Sequence, residues 1–215
     1  MAGNGGHVAA YRNLSGNFSS DLRDQLRAAT RDLHGDVDAH FGAFALASLH
    51  GYRSFLEASA AALLPLEKAL IDSGVKRRFP DWPLRARSAA ILYDLERIGG
   101  VCWLLPTPEP LDFGGILGTM YVLEGSRLGA KVLLKAVSRS HDSDVTGATG
   151  YLSHGKGQPL WQTFLATLDR HAGDLTEPKS AVIAARRAFH LFDRAAKLVI
   201  ENRKAAATSA PAALA

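Results

Sequence analysis

Residues 116–138 read ILGTMYVLEGSRLGAKVLLKAVS, an apolar stretch with three glycines and only four charged side chains. Its length and pattern predict a helix, although each interior glycine costs about 1 kcal/mol relative to alanine. At about 100° per residue, Gly118, Gly125 and Gly129 fall within about 40° of one another on one face. Two interpretations of this glycine face remain open: tight packing of a neighbouring helix, or close approach of a flat ligand to the backbone.

The rest of the chain also has the pattern of helices separated by short breaks. Three prolines in 101–110 and a polar, glycine-rich stretch at 139–158 predict connections. The sequence predicts one all-α domain of six or more helices over 19–204, between flexible segments at 1–18 and 205–215. The other predicted helices begin at Ser19 or Ser20, Tyr52, Asp81, Pro159 and Thr176–Pro178, and end near Phe41, Ser73, Gly99, His171 and Asn202.

Composition excludes several classes of protein. With 215 residues, 47% hydrophobic and 21% charged, the chain is typical of a globular domain, and its single cysteine, Cys102, allows no internal disulfide. The start lacks the pattern of a secretory signal, and no apolar run reaches the roughly 18–20 residues of a membrane span. We therefore expect a cytoplasmic protein without membrane contact. A net charge of +4, spread along the chain, does not predict nucleic-acid binding.

The first predicted helix carries a histidine that could bind a metal. Leu22, Leu26, Ala29, Leu33 and Val37 recur at helical spacing, and His34 lies at the edge of this apolar face. Arg27 and Thr30 precede it by seven and four residues, so both are expected on the same edge. An imidazole can bind a metal while a guanidinium one or two turns away binds a carboxylate. The alternative is an ordinary histidine at the boundary of the core.

Three segments resemble heme oxygenases. LRAATRDLHGDVDAHF (26–41) resembles the opening helix of that family, with its pattern L-[RK]-x-x-T-x-x-x-H. GTMYVLEGSRLGAKVL (118–133) is similar to the distal helix of the branch associated with bacterial phytochromes. GYRSFLEASAAALLPLE (51–67) matches the Y-x-x-F-L and P-L-E patterns of the same branch. The resemblance extends over about residues 22–199 and implies a single-domain helical bundle.

The resemblance assigns roles to residues on both sides of a heme. His34 would be the proximal iron ligand, with Thr30 beside the cofactor, and Arg27 would pair with a heme propionate. Gly125 and Gly129 would lie over the distal heme face. Further propionate partners could come from Arg170, Arg186, Arg187 and Arg194.

Two positions depart from the family pattern. Ser126 stands where many members have an aspartate that organises the distal water network. Ala130 replaces the second glycine of a common pair. Ser126 is retained as a catalytic candidate with Gly125 and Gly129, but the departures leave open a carrier or sensor of heme, or of another tetrapyrrole, that does not degrade it.

The implied reaction is oxidative cleavage of heme to biliverdin, carbon monoxide and ferrous iron. Heme would be both substrate and cofactor, with O2 and an external electron donor consumed. A ferredoxin, a flavoprotein reductase or ascorbate would supply the electrons, and a bacterial phytochrome could receive the biliverdin. A helical interaction or nucleic-acid module without heme is the third hypothesis.

Overall fold

The computed structural model describes residues 7–174 and 178–209, and it describes side chains from Leu22 onward except at 174, 178, 207 and 209. These residues form ten α-helices and two short 3-10 helices, with no strand among them. No helix of the described part is long and apolar enough to cross a membrane. The α-helices are α1 His7–Gly42, α2 Leu49–Asp72, α3 Trp82–Arg85, α4 Ser88–Arg97, α5 Phe113–Gly125, α6 Arg127–Val137, α7 Ser143–Gly147, α8 Gly150–Ser153, α9 Leu160–His171 and α10 Pro178–Ser209.

The all-α prediction is confirmed, and the helix ends differ in instructive ways. The first helix begins at His7, so the predicted capping residues Ser19 and Ser20 lie inside it. No proline interrupts this stretch, and a helix extends readily once it has nucleated. Of the two segments predicted to be flexible, 7–18 and 205–209 are helical in the structure. Residues 1–6 and 210–215 lie outside the described residues, and the flexibility of both segments stays a prediction. The polar stretch 139–158 contains the short helices α7 and α8.

The helix predicted from Asp81 to Gly99 is divided in two by a buried carboxylate. Glu67 of α2 accepts hydrogen bonds from the backbone amides of Arg87 at 2.7 Å and Ser88 at 3.0 Å. The Ser88 hydroxyl donates to the same carboxylate at 2.5 Å. A carboxylate bound to free amides at a helix N-terminus is stabilising, so Glu67 fixes the start of α4. The signal lies 20 residues away in sequence, out of reach of a local pattern.

The C-terminal helix is the scaffold on which the other long helices are arranged. α10 packs most extensively against α5, and then against α1 and α2. A Cβ at Gly118 of α5 would overlap the backbone carbonyl of Ala181 in α10. Helix packing therefore explains this glycine, because the two backbones approach too closely for any side chain.

An arginine holds α1 to the same scaffold. Arg186 of α10 donates a hydrogen bond to the backbone carbonyl of Ala29 and lies 3.3 Å from the Asp32 carboxylate. The hydrogen bond that Arg186 donates to the Asp32 carboxylate lowers the pKa of that carboxyl group. Both the histidine-bearing helix and the first glycine-bearing helix are thus held by one element.

We expect Gly118→Ala to lower the free energy of unfolding by about 1–3 kcal/mol, because α5 and α10 must separate to admit the methyl group. The matched control is Gly35→Ala in α1, where nothing lies within 4 Å of the added carbon. That control should be neutral or stabilising by up to about 1 kcal/mol. Urea denaturation of both variants makes the comparison. Equal shifts in the two variants would contradict the packing argument.

Candidate functional site

His34 lies on the surface of α1 with its ring held by a neighbour one turn away. Its side chain is 64% exposed, and its Nδ1 lies 2.9 Å from Oδ2 of Asp38. The ring also contacts Phe189 of α10, with centroids 5.8 Å apart. A metal-binding imidazole is commonly oriented in this way, with one nitrogen on a carboxylate and the other free to coordinate. The geometry leaves Nε2 for a ligand.

The structure separates the two residues predicted to share the edge of His34. Arg27 is exposed and its guanidinium is available at the surface. Thr30 is only 4% exposed, and its hydroxyl donates to the carbonyl of Leu26 at 2.8 Å. Thr30 therefore faces the core side of α1, where its hydroxyl is already used inside the helix.

Tyr121 of α5 joins α1 to the glycine-bearing helices, and the sequence analysis did not identify it. Burial raises the pKa of its phenol, while the positive charges of Arg23 and Arg27 oppose that rise. The phenol is thus close enough to both arginines to feel their charge. Tyr121 precedes Gly125 by one helical turn, so a hydroxyl donor and two cations lie beside the distal part of the predicted site.

The glycine-bearing stretch is two helices, because the predicted continuous helix breaks at Ser126. Arg87 donates from Nη2 to the carbonyl of Leu123 at 2.9 Å and to the Ser126 hydroxyl at 3.1 Å. The Ser126 hydroxyl itself donates to the Leu123 carbonyl at 2.7 Å. A carbonyl satisfied by side chains is not needed by the helix ladder, so α5 can end at Gly125 and α6 begin at Arg127.

Gly125 and Gly129 are not explained by packing within the protein. A Cβ at Gly129 would have nothing within 4 Å, and one at Gly125 would meet only the Trp161 ring, at 3.7 and 3.8 Å. Those distances are ordinary van der Waals contacts, and neither residue has a positive φ. The protein could therefore place alanine at both positions and gain helix stability.

The surface of α6 next to Gly129 is apolar and exposed. Leu128 is 59% exposed and Val132 is 72% exposed, although both are large hydrophobic residues. Such side chains beside a bare stretch of backbone provide a flat apolar surface. A flat apolar ligand could therefore lie against α6 without meeting a side chain at Gly129.

A buried ionic cluster lies on the other side of the break. Glu124 is 1% exposed, and its Oε2 lies 3.0 Å from both Arg85 Nη1 and Arg127 Nε. Arg127 also contacts Nδ1 of His154 at 3.2 Å. Burial lowers the pKa of His154, and the charges of Arg127 and Arg87 lower it further. This cluster fixes the position of α6 relative to α3 and α8.

Taken together, these residues fit a planar, apolar dianion that carries a metal. His34 offers one imidazole nitrogen, Arg23, Arg27 and Tyr121 offer partners for carboxylates, and α6 offers an uncovered backbone. No group of three or more metal-ligating side chains occurs in the described part of the chain. An iron porphyrin has these properties.

Comparison with known proteins finds similarity to heme oxygenases. The chain is 29% identical to heme oxygenase PigA of Pseudomonas aeruginosa, in an alignment that spans 68% of this chain and 76% of that protein. Its fold matches the NO- and CO-bound heme oxygenase of Neisseria meningitidis with a TM-score of 0.71, 23% identity, and coverage of 84% of this chain and 92% of that one. No family model matches the sequence. The chain is thus similar to heme oxygenases in sequence and in fold.

The predicted site residues differ in how exposed the structure leaves them. His34, Arg27 and Gly129 are exposed and Gly125 is partly exposed. Thr30 is buried, and its hydroxyl bonds to a carbonyl of its own helix. Local patterns could not identify Tyr121, Arg87 or Trp161, because their relevance depends on contacts between helices. For Tyr121 the segment 118–133 did contain a signal, since this tyrosine precedes Gly125 by one helical turn.

The lowered pKa of His154 predicts a pH-dependent stability. When the folded-state pKa lies below 6.5, the unfolded chain binds more protons as pH falls through that value, so the folded state loses stability. His154→Asn keeps an acceptor for Arg127 but does not titrate. We expect the wild type to lose more unfolding free energy than this variant between about pH 7.5 and about pH 5.5. Urea denaturation at both pH values measures the difference, and parallel losses would contradict the prediction.

Proposed function

We propose that this protein is a heme oxygenase that cleaves heme to biliverdin, carbon monoxide and ferrous iron, consuming O2 and electrons from an external donor. Bound heme supplies the iron at which O2 is reduced. The observation that carries the proposal is the pair of glycines, Gly125 and Gly129, which lower helix stability without any packing requirement. A ligand lying against the backbone at α5–α6 supplies the missing reason.

On the proximal side, the role proposed for His34 is to bind the heme iron through Nε2. Asp38 holds Nδ1 at 2.9 Å, which favours the tautomer with the proton on Nδ1 and leaves a lone pair on Nε2. Phe189 packs beside the imidazole and limits its rotation.

On the propionate side, the proposed partners are Arg27 and Tyr121. Arg27 presents a planar guanidinium that matches a carboxylate, and the Tyr121 phenol can donate to the same group. Arg23 adds a second positive charge nearby. Holding a carboxylate at this point fixes the rotation of the porphyrin within its plane.

On the distal side, the chain's contribution is to leave room and to hold the backbone still. Gly125 and Gly129 leave the heme face open, while Arg87 fixes the Ser126 hydroxyl and the Leu123 carbonyl beside them. Ser126 both accepts and donates a hydrogen bond within the protein. It is therefore proposed to orient the distal backbone, with solvent water carrying the protons.

Electron delivery is proposed to use the exposed arginines of α1. Arg23, Arg27 and Arg31 are all exposed and recur every four residues, so they form one basic stripe on the helix that bears His34. An acidic ferredoxin or flavoprotein would be attracted to this stripe. The resemblance to phytochrome-associated members makes a bacterial phytochrome the proposed recipient of the biliverdin.

The decisive experiment is a visible-light titration with hemin, followed by ascorbate in air. We expect a Soret band that saturates at one heme per chain and then decays into the broad red absorbance of biliverdin. Saturation without decay would favour the heme carrier or sensor. Absence of a specific band would contradict heme binding, and salt-dependent retention on DNA would then test the remaining hypothesis.

The same titration tests His34 through its alanine variant. His34→Ala should lose the iron–imidazole spectrum while its unfolding free energy stays within about 0.5 kcal/mol of wild type, since the side chain is exposed. His141→Ala is the matched control, because His141 is also exposed but lies between α6 and α7. An iron–imidazole spectrum that survives in His34→Ala would exclude the ligand assignment.

The distal glycine has its own test, in which stability and binding change in opposite directions. Gly129→Ala should leave the heme-free protein equally stable, or more stable by up to about 1 kcal/mol, because the added methyl group enters open space. Heme affinity should fall about tenfold or more, equivalent to about 1.4 kcal/mol. Hemin titration and urea denaturation of the same preparation give both values. Unchanged affinity would show that no ligand approaches this backbone.

A further inference from the structure

An aromatic column extends from the core to the candidate site. Phe79 and Phe164 are fully buried and stack with centroids 6.1 Å apart. Phe164 stacks on Trp161 at 5.6 Å, and Trp161 meets Tyr121 at 5.7 Å with the rings tilted by 55°. The buried end of the column is rigid because it is packed on all sides. Its outer end is Tyr121, the proposed partner of a heme propionate.

Trp161 contacts both parts of the proposed distal site. Its six-membered ring lies 3.7 Å from the position of a Cβ on Gly125, and its indole packs on the Tyr121 ring. Trp161 belongs to α9, a helix in which the sequence analysis named only Arg170 as a candidate. It is only partly buried, so its contacts are made at the margin of the core. Both Tyr121 and the Gly125 backbone are therefore backed by one side chain.

We propose that Trp161 is a positioning residue that selects which meso carbon of the substrate is cleaved. The inference rests on the proposed heme oxygenase function. Trp161 holds the Tyr121 ring in one orientation, and Tyr121 with Arg27 holds the propionate. A propionate fixed at one point sets the rotation of the porphyrin, and thereby the edge that lies next to the open backbone of α6.

The consequence of removing the indole follows from the same contacts. Without Trp161, the Tyr121 ring loses its packing partner and gains solvent contact, while Arg23 and Arg27 remain in place. The propionate partner can then adopt more than one position, and the porphyrin more than one rotation. A phenylalanine at 161 keeps a ring against Tyr121 and Phe164 and should preserve most of the orientation.

The first readout uses the heme-free protein. Burial raises the pKa of Tyr121 above its ordinary value of 10. In Trp161→Leu, the pKa of this phenol should fall toward that value, whereas Trp161→Phe should keep it raised. Phenolate absorbance measures the titration, and repetition in a Tyr121→Phe background assigns the change to this tyrosine. Identical titrations in wild type and Trp161→Leu would overturn the contact on which the proposal depends.

The second readout is the ratio of biliverdin isomers, separated by chromatography after turnover with ascorbate. Trp161→Leu should change the isomer ratio at least tenfold, and Trp161→Phe should stay close to wild type. Trp103→Leu is the matched control, since Trp103 lies in the 101–112 connection outside the column. An unchanged ratio in Trp161→Leu, or an equal change in Trp103→Leu, would overturn the proposal.

The two readouts separate failure of this proposal from failure of the proposed function. If the wild-type protein degrades no heme, the proposed heme oxygenase function is contradicted, and with it the selection of a meso carbon. The phenol titration still reports, in that case, whether Trp161 positions Tyr121. A wild type that turns over heme with a single isomer, unchanged in Trp161→Leu, contradicts the positioning role alone. Thermal unfolding of each variant, with Trp161→Phe as the milder change, controls for loss of folding.

Discussion

The hydrogen bonds to the Leu123 carbonyl are the constraint on which the candidate site depends. Arg87 and Ser126 satisfy that oxygen together, and α5 ends two residues later, at Gly125. Arg87 is in turn fixed by Glu67, which holds its backbone amide and begins α4. A single buried carboxylate on α2 thus determines where α4 starts and, through Arg87, where α5 ends. The position of Gly125 and Gly129 follows from that chain of contacts.

The buried charges around this break are arranged so that each has a partner. Glu124 is shared by Arg85 and Arg127, and Arg85 also bonds to the Asp81 carboxylate and the carbonyl of Leu160. Removing one member of such a cluster leaves an uncompensated charge in the interior, which costs several kcal/mol. The cost makes the cluster a precise anchor for α6. An exposed apolar helix would otherwise have little to hold it against the domain.

The fold was largely predictable because apolar residues at helical spacing indicate long helices from the local sequence alone. The sequence indicated both ends of α2 and α9 and the start of α10 within a few residues, with Pro159 and Pro178 as start signals, but α10 continues past the predicted end near Asn202 to Ser209. The breaks within 81–99 and 116–138 were missed, since they depend on Glu67 and Arg87, which come from other helices. His34 and Arg27 were named from a motif that resembles a family, and both are exposed on α1. Thr30 shows the limit, because small differences of angle around α1 decide whether a hydroxyl faces the core.

The three glycines show why composition and spacing alone could not choose between packing and ligand binding. All three fall on one face by arithmetic, yet each meets a different environment. Gly118 lies against the Ala181 carbonyl of α10, Gly125 lies beside Trp161, and Gly129 faces open space. The first is required by the protein itself, since a side chain would separate two helices. Gly125 and Gly129 lower helix stability although no contact within the protein requires a glycine there. A bound ligand would explain why these two positions are glycine. In α6, the glycine that lowers helix stability lies beside the exposed side chains of Leu128 and Val132. This arrangement suits the binding of a flat apolar ligand better than it suits the stability of the helix.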